Sequence, residues 1–237
     1  MVIGIIGAMD EEVALFKQAL QDATETVRAQ ISFYQGTLAG RNVVLCKSGV
    51  GKVNAAMTAQ ILISEFGATS VIFTGVAGAL DPSLEIGDIV VSTHLQHHDI
   101  DATALGFPLG VIPFYPQSVF YADQRLVELA LQSSRSVNGT TVRAGCIVSG
   151  DQFIGSREKA KQLHEVFQAL CAEMEGAAVA HVCQQNGVPF VVIRSMSDKA
   201  DGSAPDNFNE FVEHASNRSF EIVRAMIEHE NFPDHAG

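Results

Sequence analysis

Acidic residues cluster at the ends of three apolar runs in this chain. Glu11 and Glu12 follow Met1-Val-Ile-Gly-Ile-Ile-Gly7, Glu173 and Glu175 close a run that opens at Ala169, and Asp198 ends Val188-Pro-Phe-Val-Val-Ile-Arg-Ser-Met-Ser-Asp198. Runs this continuously apolar are expected of central strands in a parallel sheet, covered on both faces. If the three strands are parallel, all five acids gather at one end of the sheet, where open α/β sheets bind ligands. Crowded carboxylates raise one another's pKa and so supply a proton donor and a base near neutral pH. One such acid alone reads equally as a solvated helix start; three clusters at strand ends do not. Arg194 and Ser197 share the last run with Asp198 and are expected beside it.

Other patterns carry less chemistry. Ser48-Gly-Val-Gly-Lys52 resembles a phosphate loop, but that motif needs glycine at 46 and serine or threonine at 53, where this chain has Cys46 and Val53. Gly4-Ile-Ile-Gly7 and Gly75-Val-Ala-Gly78 lack dinucleotide-binding spacing; like Ser48-Gly-Val-Gly51, each follows a strand and reads equally as a tight turn or as backbone N–H groups offered to a ligand on the sheet rim. No G-x-S-x-G elbow or Ser-His-Asp arrangement stands out. His94, His97, His98 and Asp99 share one loop with no distant partner cluster; surface or subunit contact is expected, and no metal or other cofactor.

The elements that must position the acids follow from periodicity. Strands are expected over residues 2–6, 31–38, 41–47, 70–74, 86–92, 141–149, 169–174 and 188–194. Helices are expected over 10–20, 52–66, 123–134, 157–167, 176–186 and 207–230. Alternating β and α elements with buried strands give an α/β fold, a three-layer α/β/α sandwich with a mixed, largely parallel central sheet. Residues 94–121 are rich in His, Asp, Gly, Pro and aromatics without periodicity, and so long a connection usually binds something. With no repeat or linker, residues 1–237 are expected to form one domain.

The net charge of −12 argues against nucleic acid and anionic membrane surfaces as partners. Cys46, Cys146, Cys171 and Cys183 have no C-x-x-C spacing and sit mostly in apolar runs, as free thiols of a reducing compartment do. No run is long enough to span a membrane, and the start lacks a basic n-region. A cytoplasmic protein is expected.

Five motifs, in order along nearly the whole chain, resemble the bacterial 5′-methylthioadenosine/S-adenosylhomocysteine nucleosidases of the purine nucleoside phosphorylase superfamily. They are Gly4-Ile-Ile-Gly-Ala-Met-Asp-Glu-Glu-Val13, Ser48-Gly-Val-Gly-Lys-Val-Asn-Ala-Ala56, Ser149-Gly-Asp-Gln-Phe-Ile154, Ala172-Glu-Met-Glu-Gly176 and Arg194-Ser-Met-Ser-Asp198. The resemblance implies hydrolysis of an N-glycosidic bond, in methionine salvage and the methyl cycle, by a homodimer. It implies that Asp198 protonates adenine N7 with Ser197 holding it, that Glu12 activates water, and that Arg194 positions the acids. It implies too that Glu175 and Met174, with Glu173 beside them, grip the ribose. The resemblance also implies that Phe153 stacks on the purine and that the Ile154 backbone reads its edge. By the same resemblance Met9, Val50, Val76 and Phe208 are expected to line the 5′ pocket, and the partner subunit to add Phe107 and Pro113 from its 94–121 loop.

Two rivals remain. A phosphorylase would surround its phosphate with arginines, whereas here the turn after the first strand carries Asp10-Glu11-Glu12, and no arginine adjoins Thr74-Gly75 in sequence. Relatives also cleave 5′-deoxyadenosine or 6-amino-6-deoxyfutalosine. A non-catalytic nucleoside-binding protein would have no use for three desolvated carboxylates, which cost stability.

Overall fold

The computed structural model describes residues 1–136, 140–200 and 204–233, and their side chains apart from residue 136 and residues 204–210. Along the chain come β1 (Ile3–Gly7), α1 (Asp10–Ala19), β2 (Gln21–Arg28), β3 (Ile31–Leu38), β4 (Arg41–Lys47), α2 (Lys52–Ser64) and β5 (Ser70–Ala79). Then follow β6 (Ile89–His97), β7 (Val119–Tyr121), α3 (Gln124–Ser133), β8 (Val142–Ser149) and α4 (Arg157–Phe167). The last elements are β9 (Ala169–Glu173), α5 (Gly176–Gln185), β10 (Phe190–Asp198) and α6 (Ala204–Glu228).

Alternate residues of each central strand face different helical layers, which is why the strands read as unbroken apolar runs. In β1, Ile5 packs with Phe16 of α1 and with Ile222 and Val223 of α6, whereas Ile6 packs with Ala55, Ala59 and Leu62 of α2. The same alternation separates Leu45 from Cys46, Ile72 from Phe73 and Val191 from Val192. The result is the expected α/β arrangement, a mixed sheet with helices on both sides.

The sheet order is β10-β6-β8-β9-β5-β1-β4-β3-β2, and β10 also pairs with β5. Strands β10, β6, β8, β9 and β5 therefore close a ring, from which β1, β4, β3 and β2 extend as a wing. Strands β1, β4, β5 and β10 run parallel. Strands β6, β8 and β9 are parallel to one another but meet β10 and β5 antiparallel.

Four local expectations are corrected. Gly75-Val-Ala-Gly78 is not a turn, because β5 continues through it, pairing Gly75 with Arg194 and Gly78 with Asp198. Likewise β10 does not stop at Arg194 but runs on to Asp198, with a bulge between Met196 and Asp198. That irregularity re-aims the last side chains of the strand. Residues 94–97, expected to be loop, belong to β6. Finally β2 was not expected at all: it is exposed nearly throughout and pairs only with β3, so it has no apolar alternation to read.

Candidate active site

The turn between β1 and α1 aims Glu12 inward. Its Oε2 accepts the Ala8 N–H at 2.6 Å and the Met9 N–H at 3.0 Å, the free donors where α1 begins. Its Oε1 accepts the Val76 N–H of β5 at 2.9 Å. Burial raises the Glu12 pKa, and the Arg194 charge and these backbone donors offset it only in part. A buried carboxylate held this way keeps its proton to a higher pH than an ordinary one. Gly75 makes the approach possible, since a Cβ there would lie 2.7 Å from Glu12 Cδ and 2.9 Å from Arg194 Nη1.

Where β9 ends, two glutamates diverge in role. Glu173 accepts the Ser149 hydroxyl, the Glu175 N–H at 3.1 Å, the Gly176 N–H at 2.7 Å and Arg194 Nη2 at 2.6 Å. It is thus spent on holding the start of α5 and the arginine. Glu175 accepts only the Gly51 N–H, at 2.8 Å through Oε1, among the hydrogen bonds described. Burial first, then the Glu173 charge, raises the Glu175 pKa to about 8.

That shift has a sign in stability. The folded state binds a proton at Glu175 that the unfolded chain releases near the ordinary value of 4.5, so this contribution is full below pH 4.5 and is lost as pH rises to about 8. Glu175→Gln should flatten the fall of Tm between about pH 5 and about pH 8 in the ligand-free protein. An unchanged slope in a thermal-unfolding series would contradict the raised pKa.

Arg194 is wholly buried against Phe73, its guanidinium carbon 4.0 Å from the ring centre. Burial alone would lower its pKa, but Glu173 and Glu12 raise it. Asp198, at the end of β10, accepts the Ser197 hydroxyl at 2.9 Å and the Ala200 N–H at 2.8 Å.

These elements enclose a cavity of about 230 Å³. Of the residues anticipated from sequence, Met9, Glu12, Val50, Val76, Phe153, Ile154, Glu173, Met174, Glu175, Ser197 and Asp198 line it. The acids are buried, while Phe153 and Val50 stay about half exposed at its edge. Arg194 lies beneath this lining and not in it. Glu11 is exposed, so four of the five acids gather, not all. Sequence reasoning missed Ala8, Ala77, Gly78, Gln152 and Ala172. Gly78 was within a marked glycine pattern, but the small residues offer backbone and space and leave no chemical signature.

Phe107 and Pro113 do not line this cavity; Phe107 packs its ring 5.4 Å from that of Phe114. The Phe208 side chain lies outside those described.

A family model described as the phosphorylase superfamily matches residues 2–228. A 5′-methylthioadenosine/S-adenosylhomocysteine nucleosidase of Anoxybacillus flavithermus is 46% identical over 96% of this chain and 98% of its own. The chain belongs to this nucleosidase family of the phosphorylase superfamily. Among solved structures, the Neisseria meningitidis nucleosidase in complex with methylthio-immucillin-A superposes with a TM-score of 0.92, at 39% identity over 96% of this chain and 98% of that one. The futalosine hydrolase of Helicobacter pylori also superposes with a TM-score of 0.92, at 36% identity over 96% of this chain and 97% of its own.

Family membership sharpens the contrast with the phosphorylases. No arginine adjoins Gly75 in sequence, yet the β5–β10 pairing brings Arg194 directly beside it. That one guanidinium is already bound by Glu173 and faces Glu12, with Glu175 also acting on it electrostatically. A guanidinium already engaged by a carboxylate in this way is poorly placed to hold a phosphate dianion.

Proposed function

We propose that the chain hydrolyses the N-glycosidic bond of 5′-methylthioadenosine and S-adenosylhomocysteine, releasing adenine and the 5′-substituted ribose. The observation that carries this reading is the convergence of Glu12, Glu175 and Asp198, from three separate segments, on one largely apolar cavity. Asp198 in its acid form gives a proton to adenine N7 as the C1′–N9 bond breaks. Glu12 takes a proton from the water whose oxygen bonds to C1′. The net reaction adds one water across the bond, and the two carboxyls reset by exchange with solvent. Glu175 is largely protonated in the ligand-free site. Ribose hydroxyls that donate to it favour its ionised form, so that it holds them through charge-assisted bonds and its negative charge favours the oxocarbenium-like sugar of the transition state.

Adenine release from 5′-methylthioadenosine, followed with and without phosphate, tests the reading. Free methylthioribose at a phosphate-independent rate is expected; methylthioribose 1-phosphate would make the enzyme a phosphorylase. Because a futalosine hydrolase shares the fold so closely, 6-amino-6-deoxyfutalosine belongs in the same assay beside 5′-deoxyadenosine.

A homodimer completes the site in this proposal. Leu105 and Phe114 of the 94–121 segment are 70% and 90% exposed, and Val53 of α2 is 79% exposed, the kind of apolar surface that a second subunit covers. Phe107 and Pro113 would then reach the 5′ end of the neighbour's cavity. Phe107→Ala should raise KM for 5′-methylthioadenosine about tenfold and leave adenine affinity within about twofold, as loss of one buried ring contact does. A fully active monomer in sedimentation would refute the shared site. No helix among the described residues is long and apolar enough to cross a membrane. All four cysteines are free and buried, which supports placement in a reducing cytoplasm.

A further inference from the structure

The loop that carries Phe153 and Ile154 is anchored at its base by charged groups that the proposed chemistry does not use. Asp99, just past β6, accepts Lys52 Nζ at 2.6 Å through Oδ1 and the Asp151 N–H at 2.9 Å through Oδ2. Asp151 in turn accepts the Lys52 N–H, at the first residue of α2, at 2.8 Å. The adjacent Gly51 N–H is the donor to Glu175. Gly51 adopts φ 98°, which favours glycine, and a Cβ there would lie 3.2 Å from Asp151 Oδ1.

The Lys52 and Asp99 side chains are only 19% and 13% exposed, so solvent screens their pair far less than an open surface pair. Burial would raise the Asp99 pKa, but the bonds from Lys52 and the Asp151 N–H, together with the Lys52 charge, hold it below the usual range. The neighbouring backbone is fixed as well. The His98 ring packs so closely on Gly150 that a Cβ at 150 would overlap it.

We propose that Lys52, Asp99 and Asp151 are positioning residues forming a clasp between the two halves of the substrate pocket. The clasp holds the loop bearing Phe153, which meets the base, in register with the Gly51 turn, which orients Glu175 toward the sugar. None of the three reaches the reacting atoms; they act through Phe153 and Glu175. The proposal rests on reading the cavity as an adenosine site. Its physical content is that base stacking and ribose binding are set by one shared joint and cannot vary independently.

Lys52→Met tests this, because it removes the charge while keeping the aliphatic stem and the backbone N–H that Asp151 accepts. Adenine affinity, read by calorimetry, should fall about tenfold, and KM for 5′-methylthioadenosine should rise similarly, as loss of a charge-assisted bond at a binding loop predicts. Lys52→Arg should recover most of the loss, since it retains the charge. When Lys52→Met is added to Phe153→Ala, the further loss of adenine affinity should be under about twofold, because the ring that the clasp positions is gone. A merely structural lysine would give independent, multiplying losses, and that result, or unchanged adenine affinity in Lys52→Met, overturns the clasp.

Hydrogen exchange provides a readout that needs no substrate. In Lys52→Met the amides of residues 151–155 should exchange faster than in wild type, with β8 unchanged. Equal exchange overturns the clasp whatever the enzyme hydrolyses. If the wild-type protein fails to cleave 5′-methylthioadenosine yet shows this acceleration, the proposed substrate falls and the clasp stands.

Discussion

Asp198→Asn should lower hydrolysis of 5′-methylthioadenosine by about 10²–10⁴-fold, the usual value of a positioned proton donor, with the fold unchanged. Asparagine has nearly the same shape, and its side-chain oxygen can still accept the Ala200 N–H that now binds Oδ1 at 2.8 Å. The Ser197 hydroxyl, 2.9 Å from Oδ2, can rotate to accept from the new amide. What the amide cannot do is release a proton to the departing base. Far-ultraviolet circular dichroism and Tm should match wild type while kcat collapses. Retention of more than about a tenth of the wild-type rate would remove Asp198 from the role of acid, because lost proton transfer exceeds that.

Glu12→Gln should be comparably damaging, but for two separable reasons. The first is chemical: an amide cannot take the proton from water, at a cost of about 10²–10⁴-fold. The second is structural. Both carboxylate oxygens accept backbone N–H groups, from Ala8, Met9 and Val76, so either orientation of glutamine sets its NH₂ against a donor. An unmet buried donor of this kind costs about 1–3 kcal/mol, which should appear as a lower Tm. The pH profile separates the two effects. Because burial raises the Glu12 pKa, kcat/KM of the wild type should climb with pH through a group titrating above the ordinary carboxylate range. In Glu12→Gln the residual rate should lose that acid limb. A variant that keeps more than about a tenth of the rate would place the base elsewhere.

Much of this site was legible because its residues announce themselves by type. Carboxylates at the ends of apolar runs are unusual enough that Glu12, Glu173, Glu175 and Asp198 could be grouped before their geometry was known, and they do share a cavity. Their division of labour was not legible. Glu173 and Glu175 stand two apart in the same motif, yet one is consumed by Arg194, Ser149 and two backbone donors while the other keeps most of its bonding capacity. Only the meeting of side chains from β8, β9 and β10 inside the ring decides that. Glycines misled in the opposite direction. Gly75 and Gly78 suggested a turn, since small residues after a strand often make one, but they remain in β5 so that Glu12, Arg194 and Asp198 can lie across it. Glycine chosen for close approach and glycine chosen for turning look the same in one dimension. The strand β2 stayed hidden because an exposed edge partner needs no apolar pattern.

The ring closed by β10 on β5 and β6 also fixes when catalysis can first exist. Glu12 docks on β5, but Arg194, Ser197 and Asp198 arrive only with β10, which must insert between strands formed more than a hundred residues earlier in synthesis. Such distant pairings are made late and slowly. A nascent chain that has folded through β9 therefore holds Glu12, Glu173 and Glu175 without the guanidinium that offsets them, and an open seam along β5 and β6. It should be the most vulnerable species this protein forms, prone to association through that seam and to capture by chaperones. Insertion of one strand brings the guanidinium that offsets the acids, seals the edge and delivers the proposed proton donor together, so activity can appear only once β10 is in place.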